Sequence, residues 1–342
     1  MSDPGFLFGP GPAGNWDDAR ASCPIVRRAD DGFRMWYYGR EKTFPGVTAE
    51  NERSVLPMGR SGLAISRDGI AWQKVPGPGA RGSVLDPAAE AGRFDSFQVG
   101  ATDVLPVDGE YWMYYQGGRE TSGLVDGQPR KGFPLNIGLA VSSDGLHFRR
   151  IAGSLPGGAI LGNGADQDWD AWYAGFPRVN ALPTGGYWLT YSGSGPQGPG
   201  VGAAISGDGV VWEKLGRIFG TSPNPESFDC RSVGSRSIVP FGGRFIMVYE
   251  AIDAENRFRI GLAESDDLLH WSRIAGRGPK RSLIEYGAPG SFDELAIGTP
   301  YLVAEPDGSL KLYHVGFSMA GASGIGLLLC DGRDLTRWQR AG

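Results

Sequence analysis

The chain has 342 residues, 41% hydrophobic and 21% charged, with a formal net charge of -5 and 56 glycines. That is enough apolar material for a large core, too little charge for a disordered chain, and the wrong sign for a nucleic-acid-binding surface. Three cysteines are too few for a disulfide framework, and no apolar run approaches the length of a membrane span. Met1-Ser2-Asp3-Pro4-Gly5 lacks the basic region and apolar stretch of a secretory leader, so the expected setting is the cytoplasm with reduced thiols.

Taken in chain order, a short segment, Phe6-Leu-Phe-Gly-Pro10, precedes five copies of one unit. Each unit holds two predicted hairpins. In the first unit these are Pro24-Ile-Val…Gly32-Phe-Arg-Met-Trp-Tyr-Tyr38-Gly39 and Ser61-Gly-Leu-Ala-Ile-Ser-Arg-Asp-Gly-Ile-Ala-Trp72. The second has Asp103-Val-Leu…Gly109-Glu-Tyr-Trp-Met-Tyr-Tyr115-Gln116-Gly117 and Ile137-Gly-Leu-Ala-Val-Ser-Ser-Asp-Gly-Leu-His-Phe148. The third has Pro177-Arg-Val…Gly186-Tyr-Trp-Leu-Thr-Tyr191-Ser192-Gly193 and Val201-Gly-Ala-Ala-Ile-Ser-Gly-Asp-Gly-Val-Val-Trp212. The fourth has Ser237-Ile-Val…Gly243-Arg-Phe-Ile-Met-Val-Tyr249-Glu250-Ala251 and Ile260-Gly-Leu-Ala-Glu-Ser-Asp-Asp-Leu-Leu-His-Trp271. The fifth has Pro300-Tyr-Leu…Gly308-Ser-Leu-Lys-Leu-Tyr-His314-Val315-Gly316 and Ile325-Gly-Leu-Leu-Leu-Cys-Asp-Gly-Arg-Asp-Leu-Thr-Arg-Trp338. Asp-Gly supplies the positive φ of a tight turn in the first three second hairpins.

Two hairpins per unit give four antiparallel strands, and five units give an all-β, five-bladed β-propeller. Residues 1–342 are read as one such domain. Phe6–Pro10 resembles the segments that follow the last strand of a blade, such as Val84-Leu-Asp-Pro87 and Ile160-Leu-Gly162, so it is predicted to follow the fifth blade in space. Glu41–Pro57 and Arg119–Pro134 are candidate insertions after second strands and should rise over one rim.

Five blades with turns of the Gly-x-Ala-x-Ser-x-Asp-Gly-x-x-Trp kind, complete in the first and third units and varied in the others, resemble the arabinanase–levansucrase–invertase group of glycosidases, families 43 and 32 of the glycoside hydrolases. The resemblance spans nearly the whole chain. It implies three acids on the innermost strands of the first three blades, because glycoside cleavage needs two carboxylates of unlike pKa across the scissile bond. Asp103 in Ala101-Thr-Asp103-Val matches the second of these. The family's Asp-Pro falls at Cys23-Pro24, and its Glu-Gly-Pro falls at Gly175-Phe176-Pro177, so two of the three positions carry no acid.

The search for replacement acids starts from an aromatic–Asp pair that precedes each innermost strand: Trp16-Asp17, Phe94-Asp95, Trp169-Asp170, Phe228-Asp229 and Phe292-Asp293. An element present in every blade points to a structural task. The non-repeated neighbours Asp18, Arg20, Gln98, Trp172, Tyr173, Arg231 and Glu294 are the better site candidates. At the ends of the second strands one column reads Tyr37, Tyr115, Tyr191, Tyr249, His314, and the next reads Tyr38, Gln116, Ser192, Glu250, Val315. Glu250 breaks the uncharged character of its column. It is read either as a spare acid or as a partner for a rim arginine. His314 resembles the fifth-blade histidine that helps hold calcium in arabinanase-like relatives; alternatively it fills a tyrosine slot.

Arg178 and Arg236 fall on innermost strands, where a buried guanidinium needs a partner: either a ring aspartate or an anionic substrate. Cys23 is read as a small buried hydrophobe or as a nucleophile. The expected function is therefore a carbohydrate-active, glycoside-hydrolase-like protein with a divergent axial site. Asp103, Glu250 and Glu294 are its candidate acids, and Tyr38, Trp169, Trp172 and Tyr173 its sugar-stacking aromatics. The alternative is a non-hydrolytic enzyme or a binding protein that reuses the cleft for an anionic small molecule. The expected ligand is a small molecule or oligosaccharide, with no nucleic acid and no membrane partner. Calcium at the axis is the one cofactor the resemblance suggests.

Overall fold

The computed structural model describes residues 3–42, 59–125, 128–319, 321 and 323–342. Its strands form five sheets of antiparallel neighbours arranged around an axis. From the axis outward, blade one is Arg20–Ala29, Gly32–Arg40, Arg60–Ser66 and Gln73–Val75, and blade two is Gln98–Val107, Glu110–Gly118, Asn136–Ser142 and Arg149–Ile151. Blade three is Tyr173–Ala181, Tyr187–Ser194, Gly200–Ser206 and Glu213–Gly220, and blade four is Ser232–Phe241, Arg244–Ile252, Phe258–Ser265 and Ser272–Ile274. Blade five has Ala296–Ala304, Leu310–Phe317 and Ser323–Cys330; its outer edge is shared by Phe6–Phe8 and Gln339–Arg340, both paired to Ser323–Cys330. The five-bladed propeller and its closure by the N-terminal segment are as the repeats predict.

Of the two predicted insertions, Arg119–Pro134 contains a small hairpin, Ser122–Val125 with Gln128–Lys131. Nearly all of Glu41–Pro57 lies outside the described residues.

The second hairpins show why their motif repeats. Asp68 Oδ1 accepts the backbone N–H groups of Ile70 and Ala71, and Ser66 Oγ accepts that of Gly69; Asp144, Asp208 and Asp267 repeat the Asx geometry. The glycine of each Gly-x-Ala makes room for the aromatic–Asp segment laid across the blade. A Cβ on Gly138 would lie 2.4 Å from the Tyr115 ring and 2.6 Å from Phe94, and one on Gly202 would lie 2.5 Å from Trp169.

Ring aspartates then tie each blade together. Tyr37 donates to Asp17, Tyr115 to Asp95, Tyr191 to Asp170 and Tyr249 to Asp229, at 2.8–3.0 Å. Each aspartate also receives a cation from the outermost strand: Lys74, Arg150, Lys214, Arg273 and, in blade five, Arg340. The core lies between the blades, with Trp36, Met35, Met113, Leu189, Met247 and Leu312 buried.

Candidate functional site

The innermost strands share an irregularity at one level. Their ladder slips between Ser22 and Ile25, Ala101 and Asp103, Gly175 and Arg178, Val233 and Arg236, and Gly298 and Tyr301. Such bulges re-aim side chains. In blades one, three and five a non-glycine residue with positive φ precedes a proline: Cys23 at 50°, Phe176 at 52° and Thr299 at 40°. Each costs about 1–3 kcal/mol in isolation, and it is a larger departure for a β-branched threonine.

The column read from the second strands lies against these bulges, and its first four residues reach the next blade. Tyr38 covers Gly100. Gln116 Oε1 accepts the Phe176 N–H at 3.1 Å, and Glu250 Oε2 accepts the Thr299 N–H at 2.7 Å. Ser192 Oγ accepts from Arg236 at 2.7 Å. Thr299 Oγ1 in turn accepts the Cys23 N–H at 3.3 Å. Cys23, Tyr38, Gln116, Glu250 and Thr299 therefore converge on one axial mouth. Burial pushes the Glu250 carboxyl up to about 6, with the Thr299 N–H opposing the shift. Burial also pushes the Cys23 thiol up to about 11, which leaves it neutral and a poor nucleophile at neutral pH.

Further from the mouth, the channel is filled. Asp103 pairs with Tyr114, two residues beyond Gln116, which places it about 7 Å deeper. It accepts from Arg27 at 2.9 Å, from the Val104 N–H at 2.9 Å, from the Val179 N–H at 2.7 Å and from the Tyr301 hydroxyl at 3.3 Å. Arg178 crosses the axis and donates to the Arg236 carbonyl at 2.7 Å and to the carbonyls of Thr102 and Pro300. Its guanidinium lies 4.7 Å from the Tyr301 ring centroid. Arg236 donates to Thr190, Ser192, Gly234 and Phe176, and burial lowers its pKa to about 9. The partners expected for these arginines were ring aspartates or an anionic substrate. Backbone carbonyls and hydroxyls take that place.

The remaining candidates are dispersed around the rim. Glu294 accepts the backbone N–H groups of Gly290 and Met319, which hold its carboxyl below the usual range. Asp18 does the same for Gly14 and Lys42. Arg231 is exposed and donates to Asn256, while Arg20 lies 4.9 Å over the Phe317 ring. Gln98 is buried at the entry to blade two. Trp169 packs on Tyr191 of its own blade, at 5.6 Å between centroids. Tyr173 meets Phe133 edge-on at 5.7 Å, and Trp172 is half-buried beside it.

His314 is buried against Phe292, with centroids 5.7 Å apart, and its Nδ1 lies 3.2 Å from the Val315 carbonyl. Burial lowers its pKa to about 4. Among the described residues no group of three or more His, Cys, Asp or Glu side chains could hold a metal ion. The side chains around His314 thus supply no set of carboxylates for calcium, which takes six to eight oxygen ligands.

Sequence reading missed two features. The cation two residues after each turn aromatic is visible as Trp-x-Lys or Trp-x-Arg in four units and Phe-x-Arg in the second. Thr299 was also overlooked, although Thr299-Pro300 repeats the Cys23-Pro24 and Phe176-Pro177 pairs.

With the geometry in place, the protein can be set beside known ones. No protein-family model matches it. It is 26% identical over 258 residues to the uncharacterized protein Rv1502 of Mycobacterium tuberculosis, a match covering 75% of each sequence. Its fold resembles that of a glycoside hydrolase of known structure, with a TM-score of 0.68, 20% identity and coverage of 99% of this protein and 96% of that one. A β-1,2-mannobiose phosphorylase from Listeria innocua, in complex with β-1,2-mannobiose, gives a TM-score of 0.69 at 15% identity, covering 98% of both proteins. A thermostable family-43 glycoside hydrolase gives 0.61 at 15% identity, covering 94% and 93%. The protein is a five-bladed β-propeller whose fold is like that of glycoside hydrolases and of a glycoside phosphorylase.

Proposed function

We propose that this protein is a carbohydrate-active enzyme that binds a saccharide over the axial mouth and uses Glu250 as its proton donor. The observation that carries this reading is the Glu250 carboxyl, half-buried at the mouth, seated on the Thr299 N–H and pushed up to about 6 by its loss of solvent. A carboxyl in that range holds a proton near neutrality and can give it to a departing glycosidic oxygen. Tyr38 and Gln116 belong to the same column of second-strand residues on blades one and two, and Trp172 and Tyr173 stand on blade three, where flat aromatic faces suit a sugar ring.

One observation favours phosphorolysis over hydrolysis. Hydrolysis of a glycoside employs a second carboxylate, but both oxygens of Asp103 are occupied by Arg27, Val104, Val179 and Tyr301. A reaction whose nucleophile arrives with the co-substrate needs only the acid. Inorganic phosphate would attack the anomeric carbon, the glycosidic C–O bond would break, and the Glu250 proton would pass to the leaving oxygen. The likeness in fold to a glycoside phosphorylase agrees with this reading.

The test is a panel of disaccharides and aryl glycosides, furanosides included, with and without inorganic phosphate. Release of a glycosyl phosphate only when phosphate is present supports phosphorolysis; a free sugar formed without it supports hydrolysis. Glu250→Gln should cut either turnover about 10²–10⁴-fold. No turnover of any glycoside, or turnover undiminished in Glu250→Gln, overturns the reading.

A further inference from the structure

Glu250 and Gln116 occupy the same position on blades four and two, and they perform the same task. Each accepts the backbone N–H of a left-handed, pre-proline residue on the next blade, Thr299 and Phe176 respectively. The two arrangements differ in one respect: the acceptor is a neutral amide in one and an ionisable carboxyl in the other. Both depend on a glycine before the left-handed residue. A Cβ on Gly298 would lie 2.3 Å from Glu250 Oε2, and one on Gly175 would lie 3.1 Å from Gln116 Oε1. The other oxygen, Glu250 Oε1, faces Gly234. A Cβ there would meet nothing within 4 Å except Oε1 itself, at 3.6 Å, so no other side chain stands between Gly234 and that oxygen.

We propose that Gly298 and Thr299 are positioning residues that seat the Glu250 carboxyl, holding Oε2 on a fixed N–H and leaving Oε1 to carry the transferable proton. An N–H aimed at Oε2 favours negative charge on that oxygen, so the proton resides on the other. The left-handed turn at Thr299 is what brings its N–H across the blade boundary. The same residue is anchored from the opposite side, since its hydroxyl accepts the Cys23 N–H. The field at the site is simple. Burial and the Thr299 N–H act on the Glu250 carboxyl, and the titratable group facing it from blade one is the Cys23 thiol, which is neutral below about 11. Arg236, on the innermost strand of the same blade, is spent on Gly234, Phe176, Thr190 and Ser192.

This inference rests on the proposed acid role of Glu250 for its catalytic meaning, but its geometry can be tested separately. In the full-length protein labelled with ¹⁵N at threonine and phenylalanine, the Thr299 amide resonance should titrate with a midpoint near 6, set by Glu250. The Phe176 amide, bonded to a neutral Gln116, should stay constant, and Glu250→Gln should abolish the Thr299 titration. A Thr299 amide that does not respond between about pH 4 and 8, or that still responds in Glu250→Gln, overturns the proposal. Where glycoside turnover is measurable, Gly298→Ala should lower kcat about 10²-fold through displacement of the carboxyl. It should also move the alkaline limb of the pH profile upward, because the N–H that favours ionisation is lost. A limb unmoved in Gly298→Ala overturns the positioning role even if turnover falls. Titration of Thr299 without turnover of any glycoside would retain the seat and reject the catalytic reading.

Discussion

The hydroxyl of Tyr313, in blade five, donates to the carbonyl of Gly69, in the turn of blade one, at 3.0 Å. The same carbonyl accepts Trp72 Nε1 at 3.2 Å, and the Trp72 ring meets Tyr313 edge-on at 6.2 Å. Tyr114, Gly209 and Trp212 repeat this between blades two and three. Tyr313→Phe should therefore cost only about 0.5–1.5 kcal/mol, because Trp72 still satisfies the carbonyl. Trp72→Ala should cost about 3 kcal/mol or more, since it removes both the ring and the second donor. Denaturant unfolding measures both; equal losses in the two variants would contradict this division.

Asp170 has Tyr191 at 2.9 Å and Lys214 at 2.7 Å, and it is almost fully buried. Asp170→Ala strands a cation and a hydroxyl at once. Unfolding should show a loss of about 3–5 kcal/mol, with turnover per folded molecule preserved. A stable but inactive variant would make the ring aspartate a reacting group instead.

Asp103→Asn retains one carbonyl oxygen for four donors and introduces an N–H₂ among them. A loss of about 3 kcal/mol in unfolding free energy is expected. Unchanged stability with abolished turnover would place Asp103 in the chemistry and restore a second acid.

The Glu250 carboxyl rises from 4.5 unfolded to about 6 folded, so the folded state favours its protonated form. The stability this contributes is complete below about pH 4.5 and is lost as pH rises through 6. The shift corresponds to about 2 kcal/mol. Unfolding free energies of wild type and Glu250→Gln, compared at pH 4 and pH 7, should diverge by about that amount, with the variant gaining at pH 7. A constant difference would mean that the carboxyl is not buried in solution.

The architecture was legible because a blade is a local object. Gly-x-Ala-x-Ser-x-Asp-Gly encodes two strands and a turn within a dozen residues, and its three full copies with two variants count the blades. Glu250 was legible as the one charge in an otherwise uncharged column. The interior of the channel was not. The partners of Arg178 are backbone carbonyls on three other blades, and carbonyls leave no mark in a sequence. Resemblance pointed to Asp103 as an acid, whereas its environment is decided by Arg27, Val179 and Tyr301, which lie 76, 76 and 198 positions away. The left-handed state of Thr299 was hidden because no glycine announces it.

The strand Ser323–Cys330 pairs on its outer edge with Phe6–Phe8 and with Gln339–Arg340. Four of the sheets can zip from neighbouring hairpins as the ribosome delivers them. The fifth is completed only when Ser323–Cys330 captures a strand made more than three hundred residues earlier. Joining such distant segments carries the largest entropic barrier in the molecule. Until that capture, Ser323–Cys330 is an open edge able to recruit a strand from another chain. Ring closure should accordingly be the slow step of folding, and crowded nascent chains should be most prone to mispairing just before it.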